Sequence, residues 1–138
     1  MKTLIKLCSI CLLVIIYNCS SDDGDNGTNN PTVQELLVSG KWYNESRSVG
    51  SNYSDCEKNG SIAFNNNGQV MVESFDDPSG PCESLGVITA TYTLANSSEI
   101  TIIYGSEVLN ASIISITQET LTVMSSDGET LTYDKTPG

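Results

Sequence analysis

The stretch GVITATYTL, Gly86 to Leu94, decides how this chain folds. In an extended strand Ile88, Ala90, Tyr92 and Leu94 fall on one side, and Thr89, Thr91 and Thr93 on the other. Threonine is β-branched and polar, which suits a wet sheet face, whereas the first set suits a core. One buried face and one solvated face describe a strand of an antiparallel sheet.

The same alternation recurs on both sides of it. Ile62 and Phe64, Val70 and Val72, Ile100 and Ile102, Leu121 and Val123, and Leu131 and Tyr133 continue the inner set. Thr101, Thr122, Thr130 and Thr132 continue the outer one. Turn residues separate these runs at regular spacing: Asn65-Asn66-Asn67-Gly68, the loop DDPSGPCES, Ala95 to Ser98, Gly105-Ser106, Gln118-Glu119 and Ser126-Asp127-Gly128. With a strand from Lys41, eight short strands joined by hairpins emerge, which predicts an all-β sandwich or an up-and-down barrel. Adjacent Ile113 and Ile114 break the period in VLNASIISIT, so a bulge is expected there. Met71, Phe75 and Ile103 fall on the outer face, where they would form an exposed apolar patch. Upstream, Thr32 with Glu35 three residues on makes a capping box, and Gly40 is placed to end a short helix as its C′ residue.

The N-terminus has another character. Lys2 and Lys6 precede the apolar run Leu7–Tyr17, which is too short to span a bilayer and has the proportions of a secretory signal. The run stops at Asn18-Cys19 and the chain turns abruptly hydrophilic. This pattern resembles a bacterial lipoprotein signal. The resemblance implies that residues 1–18 are removed and that Cys19 carries a diacylglyceryl group and an acylated amine, with palmitate-type chains anchoring it to a membrane. An ordinary cleaved signal leaving Cys19 as a free thiol is the other reading. Residues 20–31 contain no apolar side chain and serve as a flexible acidic tether, leaving residues 32–138 as one domain. Asp22, Asp23 and Asp25 resemble the tag that sends some Gram-negative lipoproteins to the cell exterior, and a plain solvated linker would look the same. Either way the expected location is the outer membrane or cell surface.

Charge excludes several functions. The chain has 6 basic and 17 acidic residues, a net charge of −11. Loss of Lys2 and Lys6 with the signal leaves 4 against 17, or −13. Such a chain repels nucleic acid phosphates, so no nucleic acid partner is expected. There is no histidine, which removes the commonest general base, the usual partner of a nucleophilic serine and a usual zinc ligand. No phosphate loop or nucleotide fingerprint occurs. A pair of carboxylates could in principle cleave a glycosidic bond, but the acids fall in loops and on outward strand positions. The chain reads as a non-enzyme with no cofactor.

Ser39-Gly40-Lys41-Trp42 at the start of the first strand, eight meandering strands and paired cysteines at 56 and 82 together resemble the lipocalin-like domains of bacterial lipoproteins, over residues 33 to 135. The resemblance implies a barrel closed at one end by Trp42 under a basic side chain, for which Lys135 is the candidate. If Trp42 marks the closed end, the turns at 65–68, 95–98 and 118–120 lie there, and the loops at 50–59, 76–86, 104–107 and 125–128 lie at the open end. Lys135 then lands beside Trp42, as a cation–π contact requires. Cys56 and Cys82 both fall in open-end loops, where they can form a disulfide in an oxidising compartment.

Eight strands leave an interior that is either filled or holds one small molecule. Stepping by twos from Trp42, the inner face of the first strand passes through Asn44, Ser46 and Ser48, polar groups suited to a wet pocket; with Tyr92 and Tyr133 they are the expected ligand-lining residues. The alternative is a filled barrel that binds a partner protein or glycan complex through its rim or Thr-rich wall. Asp55, Glu57, Asp76, Asp77, Glu83, Glu107, Asp127 and Glu129 gather at the expected mouth, with Lys58 and Arg47 as the nearby bases. One sign of charge around an opening should repel carboxylates and favour neutral or cationic apolar ligands. Asp76, Asp77 and Glu83 also cluster hard oxygens, but in a spacing that matches no calcium loop, so no metal is assigned.

Overall fold

The computed structural model describes residues 30–78 and 80–138. The signal, Cys19 and the tether lie outside the described residues, apart from the last two positions of the tether. Residues 31–138 form one unit.

That unit opens with helix α1 (Val33–Leu37) and continues through eight strands: β1 (Lys41–Arg47), β2 (Ser61–Phe64), β3 (Gln69–Asp76), β4 (Glu83–Ala95), β5 (Glu99–Tyr104), β6 (Glu107–Ile116), β7 (Thr120–Ser125) and β8 (Thr130–Asp134). Each strand pairs antiparallel with the next and β8 returns to β1, closing the barrel. Closure leaves every strand a partner on both sides over part of its length, which is how a small sheet removes its edges.

The helix has the capping box read from Thr32 and Glu35: the Thr32 hydroxyl accepts from the Glu35 N–H at 3.2 Å, and the Glu35 carboxylate accepts from the Thr32 N–H at 2.7 Å. Its C-terminal boundary differs from the expectation. Val38 is the C-cap, so Gly40 stands two residues beyond, where φ of +132° turns the chain into β1.

The core occupies the closed half. Leu37, Trp42, Phe64, Val70, Ala90, Tyr92, Ile100, Leu121 and Val123 are buried against one another, and Trp42, Leu37 and Val70 are fully enclosed. The Trp42 indole N–H donates to the Leu37 carbonyl at 2.9 Å, joining the first strand to the helix. Phe64 and Tyr92 meet edge to face with centroids 4.9 Å apart. The Tyr92 hydroxyl accepts from Gln34 at 3.1 Å and donates to the Asn65 carbonyl at 3.0 Å. Helix α1 therefore covers the barrel end where the 65–68 turn lies.

Three irregularities in the ladders steer side chains. In β6 the register shifts between Ile113 and Ser115; Ile114 is the extra residue and is expelled to solvent, as the broken period predicts. In β1 the shift falls between Asn44 and Ser46. In β4, Leu85 and Gly86 stand against Ser74 alone, and Gly86 takes φ of +101° to make the bulge.

Candidate functional site

The open half of the barrel is hollow. A cavity of about 740 Å³ is lined by inward residues of all eight strands and opens at the end away from Trp42. Its walls are mostly aliphatic: Ile62, Val72, Ile88, Ile102, Leu109 and Leu131 face it, with Phe64, Leu121 and Val123 towards the floor. Ile88 is 48% exposed although it sits on the inner face, because the space in front of it is unfilled.

Polar lining residues come from around the barrel: Asn44, Arg47, Tyr53 and Glu57 from β1 and the loop after it, Glu73 and Ser74 from β3, Glu107 and Asn110 from β6, and Ser125 to Asp127 from the end of β7. Asn44, opposite Tyr133, faces inward, and its side-chain amide donates to the Glu57 carbonyl at 2.9 Å. Past the bulge at Glu45 the phase of β1 reverses. Arg47, opposite Leu131, turns into the cavity, while Ser46 pairs with Thr132 on the outer face. The expected lining by Ser46 and Ser48 is thus corrected: neither lines the cavity, and Ser48 instead accepts from the Thr130 N–H at 2.8 Å through its hydroxyl. Tyr92 also stands elsewhere, in the closed-end core beneath the cavity. Of the five expected lining residues, Asn44 and Tyr133 reach it.

Arg47 is a cavity-lining residue that the sequence places only near the mouth. Its guanidinium lies 4.6 Å from the Tyr53 ring centroid, and 3.5 Å separates Nη2 from a Glu57 carboxylate oxygen. Its Nε donates to the Ser51 carbonyl, folding the loop over the mouth. No signal in YNESRS reveals this, since both faces of that strand are polar and a slip of one residue leaves the pattern unchanged. Phe75 is a second correction. Expected on the outer face, it is among the residues that line the cavity. Met71 and Ile103 do lie outside, 38% and 43% exposed.

The electrostatics divide by depth. Burial pushes the Tyr133 phenol far above its ordinary value, with the charges of Tyr53 and Glu129 adding to the shift. Burial also raises Tyr53, opposed by the neighbouring Arg47. Hydrogen bonds from Ser54 hold Glu57 below the usual carboxylate range, and the Ser125 hydroxyl does the same for Asp127. Glu57, Glu107 and Asp127 are all among the lining residues, against Arg47 as the lining cation. The hollow is therefore apolar in the walls and negative at the lip. Asp76 and Glu83 face each other across the β3–β4 hairpin, and among the described residues no three acidic or thiol groups come together as a metal site.

At the other end, the Lys135 ammonium lies 3.3 Å from the Trp42 ring centroid and donates to the Ser39 hydroxyl at 3.0 Å. Burial lowers the Lys135 pKa, partly offset by Glu119. Cys56 and Cys82 are joined by a disulfide between the loop after β1 and the β3–β4 hairpin, with Cα atoms 5.5 Å apart.

A closed eight-stranded meander, sealed by a tryptophan under a lysine and hollow at the far end, defines the class of small up-and-down barrels with an internal cavity. The family model for the lipocalin-like domain matches residues 38–123, and the chain belongs to that family. A crystal structure of a lipocalin-like protein from Bacteroides uniformis is similar, with a TM-score of 0.56 and 14% identity, covering 72% of this chain and 99% of that one. An uncharacterized protein from Bacteroides eggerthii is similar too, with a TM-score of 0.54 and 13% identity over 70% of this chain and 98% of that one. At such identities the likeness shows the fold alone. No curated protein matches the chain.

Proposed function

We propose that this protein is a lipid-anchored, extracytoplasmic binding module that holds one small, largely apolar, neutral or cationic ligand in its barrel. The observation that carries this reading is the cavity of about 740 Å³, which lies in the range of small-molecule sites and combines aliphatic walls with polar groups around its opening. The lipocalin-like family membership agrees with a ligand-binding or structural module. Acids at the lip give the charge preference: Glu57, Glu107 and Asp127 surround the path a ligand takes. The rival reading, a filled barrel presenting its wall to a partner protein or glycan complex, requires an interior without space, and the hollow favours the ligand. The module carries out no chemistry in this reading, needs no cofactor and takes no nucleic acid.

Its location follows from the sequence of residues 1–31: the mature chain begins at acylated Cys19 and hangs from the outer membrane or cell surface by the acidic tether. Two tests apply. Thermal shifts across a panel of neutral, cationic and anionic amphiphiles, at low and high salt, should show cationic members binding more weakly as salt rises; tight, salt-insensitive binding of a fatty acid anion contradicts the charge preference. Cys19→Ala should move the protein from the detergent phase to the aqueous phase; a soluble native product with a free Cys19 thiol contradicts the anchor.

A further inference from the structure

The barrel is staggered, and the stagger leaves one strand edge without a partner. Strand β4 pairs with β3 as far as Glu83, but with β5 only over Thr91–Ala95. Eight residues, Glu83–Ala90, therefore run past the β5–β6 turn with nothing hydrogen-bonded on that flank among the described residues. Alternation fixes which groups are free. The Tyr92 N–H donates to the Gly68 carbonyl at 2.8 Å on the β3 side, so Ala90 and Ile88 also point their backbone groups towards β3. Thr89 and Val87 point theirs the other way, where the ladder to β5 has ended.

The surroundings of this edge are apolar. Leu85, Val87 and Val108 are 68%, 57% and 56% exposed. Val108 belongs to the neighbouring β5–β6 hairpin, whose tip lies beside the free stretch of β4. Natural sheets usually blunt such an edge with lysine, proline or a short strand; Val87 to Ala90 carries none of these.

We infer that the β4 edge at Val87 and Thr89 is a docking site for an extended, basic polypeptide segment of another protein, which adds to the sheet as a strand. Two donors and two acceptors in alternation are complementary to peptide backbone, which a lipid surface does not supply. Exposed valine and leucine side chains beside the edge receive alternate side chains of the added strand. Charge selects the sign. Glu83 stands at the hairpin end of the edge and Glu107 at the adjacent hairpin, in a chain of net charge −11, so a lysine- or arginine-bearing strand is attracted and a second copy of this acidic chain is repelled.

The probe is a blocked peptide of alternating lysine and valine, added to the full chain while backbone amide exchange is followed residue by residue. Val87 and Thr89 amides should exchange fast in the free protein and slow by about tenfold or more with the peptide, while an alternating glutamate and valine peptide leaves them unchanged. Thr89→Pro removes one free donor without touching the β3 ladder and should weaken peptide binding by about tenfold. Should that variant fail to fold, the peptide N-methylated along one edge serves the same purpose and should not bind. Four outcomes overturn the inference: protection of both amides in the free monomer; protection that grows with protein concentration as the mass doubles, which assigns the edge to a second copy; protection by neutral phosphatidylcholine vesicles but not by peptide; or equal binding of the methylated peptide.

Discussion

At the residue scale, single side chains are turned into or out of the cavity by one-residue slips. Arg47 reaches the lining because the bulge at Glu45 reverses the phase of β1, and Lys58 holds Glu45 on the outside at 3.0 Å. Tyr133 gives the clearest consequence for solution behaviour. Its folded pKa is raised by burial above the value of 10.0 it has when unfolded. Below pH 10 both states keep the proton, and the folded state has its full stability from this group. Above that, the unfolded chain releases a proton that the folded chain retains, so stability falls as pH rises, by about 1.4 kcal/mol per pH unit for one such group. Urea midpoints at pH 8 and pH 11 should diverge more in the native chain than in Tyr133→Phe. Other groups titrate alike in both proteins, so equal divergence would show that Tyr133 is not held neutral by the fold.

At the element scale, the β3–β4 hairpin is the long arm of the barrel, and the disulfide ties its tip to the loop after β1. Cys56 and Cys82 are separated by 26 residues, and a cross-link closing a loop of that size stabilises by about 3 kcal/mol, chiefly through the unfolded chain. Cys56→Ser with Cys82→Ser should lower stability by about that amount in urea unfolding, and reductant should then have no further effect. An unchanged midpoint would mean that the hairpin is already held by its ladder to β3 and the contacts around Asn44. How much of an element was legible depended on contrast between its faces. In GVITATYTL the inner and outer sets differ at every step, and strand, phase and inner residues all followed from it. In YNESRS both faces are polar, so the slip at Glu45 leaves no trace in the sequence: alternation from Trp42 predicts Ser46 and Ser48 inside, where the structure has Arg47. Turn positions were readable from Asn and Gly, but strand overhang was not. Nothing in local sequence tells β4 to outrun β5, because the stagger is set by how the whole sheet closes.

At the scale of the whole molecule, the two ends of the barrel divide the work. The closed end spends its aromatic and aliphatic residues on a packed plug, with α1, Trp42 and Lys135 sealing it. The open end leaves aliphatic walls unfilled and surrounds them with acids. A barrel filled to its rim would have been more stable, since unfilled apolar walls forgo both burial and packing contacts. The unfilled half is thus the feature that points to an occupant. Native mass spectrometry of the protein purified from its own host tests this most directly. The account predicts a bound, largely apolar species of small mass, released on unfolding, and neutral or cationic in charge. A clean apo mass, with no thermal shift across lipids and pigments, would contradict it.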